Sequence, residues 1–114
     1  MVINGINGKS IEKYFPFSER TCNILLALAE PLHGYGVMQK VEAISGGDVK
    51  IGPGTLYGAF SKLEEARMIR MVNEEDRRKS YQLTEKGGAV LLAQLRRLEV
   101  MVANGARVKE ALST

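Results

Sequence analysis

The sequence predicts a mainly α-helical protein with a small β-hairpin. Apolar residues recur at helical spacing in four segments, which predicts four helices. Two short alternating segments, residues 69–72 and 80–84, surround a charged loop and predict an antiparallel hairpin. The length of 114 residues, with 45% hydrophobic and 25% charged residues, is typical of one soluble globular domain.

The composition also predicts where the protein resides. No segment approaches the roughly 20 apolar residues of a membrane-spanning helix, and the N-terminal segment lacks the basic start and apolar middle of a signal peptide. The single cysteine, Cys22, cannot form an internal disulfide, which fits a reducing compartment. We therefore expect a cytoplasmic protein that does not contact a membrane.

The N-terminal part is expected to be an arm followed by helix one. Residues 1–17 are rich in Gly and Asn at first and contain Pro16, which predicts a loose arm with one helical turn around residues 10–14. Ser18 is the candidate N-cap of helix one, and Pro31 is expected to end it. The apolar residues of this helix at helical spacing are Cys22, Leu25, Leu26, Leu28 and Ala29.

Helix two is predicted from His33 to the glycine pair at positions 46 and 47. Val37, Val41 and Ile44 have the spacing of one buried face. His33 is interpreted as a turn residue or a cap of helix one. Residues 48–51 are expected to form a connector, with a minimal strand as the alternative.

Helix three is predicted from Pro53 to about Arg67, since proline suits the first helical turn. Leu56, Ala59, Phe60 and Leu63 lie on one side of this helix at 100° per residue. The other side, called the glycine face below, consists of Gly54, Gly58, Ser61, Lys62 and Glu65, with Thr55 and Tyr57 at its borders.

The glycine face is unusual for a helix that only meets solvent. Each glycine in a helix interior costs about 1 kcal/mol relative to alanine, so Gly54 and Gly58 suggest that another molecule approaches closely. The alternative is that these glycines set a cap and a packing contact with another helix.

The hairpin is predicted from strands at residues 69–72 and 80–84 with a loop at residues 73–79. Between residues 50 and 79 seven basic residues stand against five acidic ones, a small local excess that permits a nucleic-acid partner. The loop contains Arg77, Arg78 and Lys79. Taken alone, such a charge run is also typical of a solvated loop.

Helix four is predicted after Thr84, its candidate N-cap. Leu91, Leu95, Leu98 and Val102 have a coiled-coil-like spacing of four, three and four residues, flanked by Leu92 and Met101. A single amphipathic helix beyond a small domain must cover its apolar stripe, and a symmetric second copy is the commonest solution. The alternative is that it folds back on helix one of the same chain.

Three short helices followed by a hairpin with a basic tip form the order of a winged helix-turn-helix. In that geometry the third helix enters the major groove of DNA, and the hairpin reaches the neighbouring backbone. The basic tip is then expected to contact phosphates or the minor groove, where it releases condensed counterions.

Three segments of the chain carry a resemblance to a known family. The strings LAEPLHGYGVMQKV, GPGTLYGAFSKLEEARMI and DRRKSYQLTEKG, in this order, resemble the PadR family of bacterial transcriptional regulators from about Glu19 to the end. The resemblance implies a sequence-specific, ligand-responsive repressor that binds palindromic double-stranded DNA as a homodimer. We expect an arm at 1–17, a DNA-binding domain at 18–84, and a dimerisation helix and tail at 85–114.

The sequence departs from the family pattern at two places. Gly52 stands where the family often has serine, which affects a helix cap. Ala66 and Arg67 stand where the family usually has glycine, which affects the turn into the hairpin. Neither change removes a charge, so they bear on base preference more than on DNA binding.

The resemblance assigns roles to individual residues. The DNA-contacting set is Tyr35, Gln39, Lys40, Thr55, Tyr57, Gly58, Ser61, Lys62, Arg77, Arg78 and Lys79, with Lys50 as a weaker backbone candidate. The dimerisation set is Leu91, Leu92, Leu95, Leu98 and Val102. A small aromatic or drug-like effector is expected near the dimer centre, beside residues such as Leu25, Leu92 and Met101.

Other functional classes are less well supported by the sequence. Cys22 lies in an apolar run and no acid is placed by motif beside His33, the only histidine, so no catalytic set is expected. One cysteine and one histidine do not make a zinc site, the phosphate-binding glycine motifs are missing, and no cofactor is expected. Two alternatives stay open: a protein-binding winged helix and a thiol sensor at Cys22.

Overall fold

The structure is a computed structural model that describes residues 17–114 and the backbone of two short N-terminal strands. These strands, β1 (Val2–Ile3) and β2 (Ile6–Asn7), pair antiparallel. The helical turn expected around residues 10–14 lies outside the described residues.

Residues 17–114 confirm the predicted class, a mainly helical fold with a small hairpin. The helices are α1 (Glu19–Ala27), α2 (Gly34–Ile44), α3 (Pro53–Glu65) and α4 (Glu85–Leu112). The strands are β3 (Leu32–His33), β4 (Ile69–Glu75) and β5 (Arg78–Leu83). The three strands form one antiparallel sheet in the order β3-β5-β4.

Helix α1 begins as predicted and ends earlier than predicted. The Ser18 hydroxyl accepts a hydrogen bond from the Thr21 N–H at 3.0 Å, which confirms the N-cap. The helix ends at Ala27, so Pro31 does not end it. The Leu28 carbonyl instead accepts from the N–H of Leu83 in β5 at 2.9 Å, which turns the chain toward the sheet.

The hydrophobic core lies between the four helices and the inner side of the hairpin. Its largest fully buried side chains are Ile24, Leu25 and Leu28 of α1, Val37 and Val41 of α2, Leu56 of α3, Ile69 of β4 and Val90 of α4. Ile44 was predicted to be buried but is 47% exposed, because α2 ends there beyond the edge of the core. Ala29 is also exposed, since it follows the end of α1.

The hairpin is longer than predicted and its turn is tighter. The strands continue through most of the expected loop, and only Asp76 and Arg77 connect them, with φ values of 51° and 66°. Positive φ at both central residues is the requirement of a type I′ turn. The connector at residues 48–51 is not a strand, and the third strand of the sheet is β3.

The start of α4 is fixed to the turn between α3 and β4. The Thr84 hydroxyl donates to the Arg67 carbonyl at 2.6 Å and accepts from the Gly87 N–H at 3.0 Å, which confirms Thr84 as the N-cap. Arg67 has a φ of 61°, in the left-handed region that favours glycine, as the family pattern at this turn suggested.

Helix α4 has a buried first part and an exposed second part. Its buried residues lie between Gly87 and Gln94, whereas every residue from 99 to 114 is exposed. The large apolar residues of the exposed part are Val100, Met101, Val102, Val108 and Leu112. Four of them, Met101, Val102, Val108 and Leu112, are called the distal stripe below. None of the described helices, α4 included, is both long and apolar enough to cross a membrane.

Candidate nucleic-acid interface

The glycine face of α3 points away from the core. Leu56, Phe60 and Leu63 are buried on the opposite side, as predicted. A Cβ atom added at Gly54 or at Gly58 would meet no heavy atom of the described residues within 4 Å. Neither glycine therefore serves a packing contact with another described helix, which argues against the explanation by helix–helix packing.

The start of α2 lies directly beside α3. Its N-cap is His33, whose Nδ1 accepts from the Gly36 N–H at 3.3 Å, so His33 caps α2 and not helix one. A Cβ on Gly34 would lie 2.6 Å from the Tyr57 hydroxyl oxygen. Gly34 therefore allows the Tyr57 ring, which is 54% exposed, to reach across to α2.

The wing, which consists of β4, β5 and their turn, closes a small cavity on this side of α3. The cavity has a volume of about 240 Å³. Its lining residues are His33, Gly34, Tyr35, Tyr57, Arg77 and Arg78. The fold thus brings together predicted DNA-contacting residues from α2, α3 and the wing.

Lys79 differs in placement from its two basic neighbours. Successive side chains of a strand point to opposite faces, so Lys79 lies on the other face of β5 from Arg78. It is paired across the hairpin with Glu74, whereas Arg78 is paired with Glu75. Of the three predicted basic contacts, only Arg77 and Arg78 line the cavity beside α2 and α3.

Acidic side chains neutralise the wing tip. Residues 74–79 carry three acidic and three basic side chains, all exposed. Glu75 and Arg78 also line a shared cavity of about 410 Å³ on the wing, although they form no ion pair within 4.0 Å. The wing tip therefore carries both acidic and basic side chains and is not uniformly basic.

A larger groove lies on the other side of α3, against the start of α1. Its volume is about 480 Å³, and Gly54, Gly58 and Lys62 of the glycine face contribute to its lining. From α1 it receives Ser18, Arg20 and Thr21. Arg20 was not among the predicted contacts, because only the tertiary packing places α1 beside α3.

The arrangement of three helices and a wing can be compared with known proteins. Residues 24–93 match the model of the transcriptional regulator PadR-like family. The chain belongs to this family. The prediction from the three sequence strings is thereby confirmed, and the family consists of transcriptional regulators rather than enzymes.

Individual relatives of this PadR-like regulator extend the comparison. It is 41% identical over 69 residues to an uncharacterized 37.1 kDa protein in a transposon of Streptomyces fradiae, a match covering 60% of the chain and 19% of the relative. It is 27% identical over 99 residues to the transcriptional regulator YqjI of Escherichia coli, covering 86% and 48%. The chain thus spans less than half the length of both curated relatives.

The fold comparison agrees with the family. A PadR-like transcription factor from Bacteroides fragilis superposes with a TM-score of 0.62 at 22% identity. The match covers 78% of this chain and 87% of that one. The winged-helix architecture expected from the order of elements is confirmed.

Two predicted DNA contacts of the PadR-like regulator already have acidic neighbours. Lys40 of α2 forms an ion pair with Glu30, and Lys50 lies 3.7 Å from the Glu42 carboxylate. Such exposed pairs are weak and are easily exchanged for another anion. Gln39, Thr55, Ser61 and Lys62 are exposed.

Cys22 of the regulator sits in the core of the domain. It is 7% exposed, and burial raises the pKa of its thiol. Because the thiolate is the reactive form, a raised pKa lowers the reactivity of a cysteine. This environment argues against the thiol-sensor alternative.

The predicted dimerisation and effector residues of the regulator fall into different environments. Leu91 is buried in the chain's own core, Leu95 and Leu98 are half-buried, and Val102 is 71% exposed. The first part of the predicted seam thus packs within the domain, and the second part does not. Leu25 is fully buried, while Leu92 and Met101 lie on opposite sides of α4, nine residues apart.

Proposed function

We propose that this PadR-like regulator binds double-stranded DNA as a homodimer and represses transcription. In this proposal α3 enters the major groove and the wing lies along the neighbouring backbone. The curated relatives are longer than this chain, so DNA binding and repression are proposed for the chain and are not carried over from a full-length match.

The observation that carries the proposal is the glycine face. Gly54 and Gly58 are exposed and lie in a helix, and a Cβ at either position would meet no atom of the described residues within 4 Å. Alanine at position 58, in the interior of α3, would stabilise the helix by about 1 kcal/mol relative to glycine. A partner that must approach the α3 backbone closely accounts for this loss, and DNA in contact with a recognition helix is such a partner.

The residues around the glycine face suit both kinds of DNA contact. Thr55 and Ser61 can donate or accept hydrogen bonds at base edges or phosphates. Tyr57, Arg77 and Arg78 share one cavity and can hold a phosphate of the backbone beside α2. Tyr35, Gln39, Lys40, Lys50, Gly58 and Lys62 extend the proposed DNA-contacting set. Lys79 is its outermost member, because it lies on the other face of β5 from Arg78.

The distal stripe supports the homodimer. Met101 and Val102 are 66% and 71% exposed, and Val108 and Leu112 lie within about 20° of Met101 around α4. An isolated helical end of this length is marginally stable in water without tertiary packing. A second copy that covers the stripe stabilises both helices and presents two α3 helices to successive major grooves about 34 Å apart.

We also propose that a small aromatic or drug-like effector controls the repressor. Within one chain, Leu25 is fully buried, and Leu92 and Met101 lie on opposite sides of α4. In this proposal a second copy completes the effector site beside Leu92 and Met101.

Selection of bound duplexes from a random DNA pool tests the proposal. We expect enrichment of a palindrome, because the proposed dimer has two-fold symmetry. Its half-sites should lie about ten base pairs apart, which is one turn of the DNA helix. Sedimentation of the complex should give two chains per duplex. Failure to enrich any sequence, together with no binding to any duplex at low salt, would overturn the proposal.

A further inference from the structure

Among the residues that the structure describes, the lining of the groove between α1 and α3 contains two cations and no acidic side chain. Arg20 of α1 and Lys62 of α3 are the only ionisable residues of this described lining, and both are exposed. Neither forms an ion pair with another described residue. The groove is therefore an electropositive site, unlike the wing tip with its balanced charges.

The floor of this groove is open to close approach. Gly54 and Gly58 contribute to its lining, and no atom of the described residues lies within 4 Å of the positions where their Cβ atoms would stand. A rigid polyanion can therefore come near the α3 backbone between the two cations. This combination of bare backbone and flanking positive charge suits a phosphodiester chain.

The groove and the wing cavity lie on different sides of α3. The wing cavity is lined by Tyr57, Arg77 and Arg78, and it shares no residue with the groove. A helix in the major groove has one sugar–phosphate strand on each side, because that groove is bounded by both strands. Two separate cationic sites therefore match the two strands.

We propose that the groove between α1 and α3 binds the DNA strand opposite the one held by the wing, with Arg20 as a phosphate ligand from α1. This inference rests on the proposed DNA binding and adds a contact from a helix outside the helix-turn-helix pair. The planar guanidinium of Arg20 can donate two hydrogen bonds to one phosphate. Lys62 holds the same strand from the α3 side.

Titration of the full chain with the selected duplex at several salt concentrations tests the role of Arg20. Arg20→Ala should weaken binding to all duplexes about equally, because phosphate contacts carry no sequence information. The slope of log K against log salt should fall by about 0.9 per protomer, or roughly 1.8 for a dimer. Arg96→Ala, an exposed arginine on α4, is the matched control and should change neither value.

Neutral methylphosphonates, placed one at a time along each strand, identify the strand that Arg20 contacts. A substitution on the strand opposite the wing should weaken the wild type and should have no further effect on Arg20→Ala. A thermal melt of each variant establishes that it is folded.

The outcomes separate this inference from the proposed function. Binding by the wild type with an unchanged salt slope in Arg20→Ala would overturn the inference and leave the proposed function intact. If methylphosphonates weaken binding by Arg20→Ala as much as binding by the wild type, the inference would likewise be wrong and the proposed function would stand. Absence of DNA binding by the wild type would overturn both.

Discussion

Gly87 in the first turn of α4 lies against the backbone of Met68, so closely that a Cβ atom at position 87 would overlap the Met68 carbonyl oxygen. The carbonyl carbon of Met68 would be only 2.9 Å from that Cβ. The Thr84 N–H donates to the same carbonyl at 3.0 Å. The contact fixes the direction in which α4 leaves the domain.

Gly87→Ala is expected to destabilise the protein by about 3 kcal/mol or more, because the added methyl meets backbone that cannot rotate away. Urea denaturation measures the change. Gly88→Ala is the matched control, since no atom of the described residues lies within 4 Å of its added Cβ, and it should stabilise the helix by about 1 kcal/mol. Equal effects of the two substitutions would contradict the close contact.

Gly58→Ala is expected to change stability and DNA affinity in opposite directions. Free space around the position should let alanine stabilise α3 by about 1 kcal/mol. The same methyl should weaken DNA binding by about tenfold, which is about 1.4 kcal/mol, because it holds the duplex away from the backbone. Thermal melts and fluorescence anisotropy measure the two quantities.

Gly88→Ala serves again as the control for Gly58→Ala, since it should raise stability and leave DNA affinity unchanged. If Gly58→Ala bound DNA as tightly as the wild type, the close approach at the glycine face would be wrong.

Local signals explain which parts of the fold could be predicted. The buried stripe of α3 is visible in the spacing of Leu56, Phe60 and Leu63, and the helix starts are visible in Ser18 and Thr84, because helical periodicity and capping act within a few residues. These signals were sufficient for the order of the four helices and the hairpin and for the exposed side of α3. The family was identified from the resemblance of three sequence strings.

The missed features depend on contacts between distant segments. Strand β3 has two residues and exists only because Leu32 pairs with Tyr81. The turn at Asp76 and Arg77 was hidden because it contains no glycine despite its positive φ values. The sequence around Arg20 does not indicate that this residue lies beside α3. Its position follows from the tertiary arrangement of α1 and α3.

Cys22 is expected to make stability fall at alkaline pH. Burial raises the pKa of its thiol in the folded protein above the value in the unfolded chain. The stabilising contribution is therefore complete below the unfolded pKa and is lost as pH rises through the folded pKa. Urea denaturation at increasing pH should show this loss, and Cys22→Ala should reduce it.

The same burial predicts a slow reaction of native Cys22 with a thiol reagent at neutral pH, and a fast reaction after unfolding. Rapid modification of the native protein, accompanied by loss of DNA binding, would instead support a thiol sensor.

Val102→Asp is expected to dissociate the proposed homodimer. Val102 is 71% exposed in the single chain, so aspartate should not disturb the domain, but it would place two charges in an apolar interface. Analytical ultracentrifugation should show a monomer and anisotropy a large loss of affinity for the palindrome. Ala103→Asp, 100° further around α4 and away from the distal stripe, should remain dimeric.

A monomeric wild type, or equal dissociation constants for Val102→Asp and Ala103→Asp, would contradict the proposed role of the distal stripe.

The two faces of the wing are expected to contribute unequally to DNA binding. Arg78 lines the cavity with Tyr35 and Tyr57, whereas Lys79 projects from the opposite face beside Glu74. Arg78→Ala should therefore lower the slope of log K against log salt by about 0.9 per protomer. Lys79→Ala should have a clearly smaller effect in the same anisotropy titration.

Glu75 gives the converse test, because it stands opposite Arg78 in the hairpin register and shares a cavity with it. Glu75→Gln removes a charge that repels phosphate while keeping the size of the side chain, so DNA affinity should rise by a few fold at low salt. Glu74→Gln, on the face of Lys79, is the matched control and should change affinity less. A greater loss for Lys79→Ala than for Arg78→Ala would show that the opposite face of the wing meets the DNA.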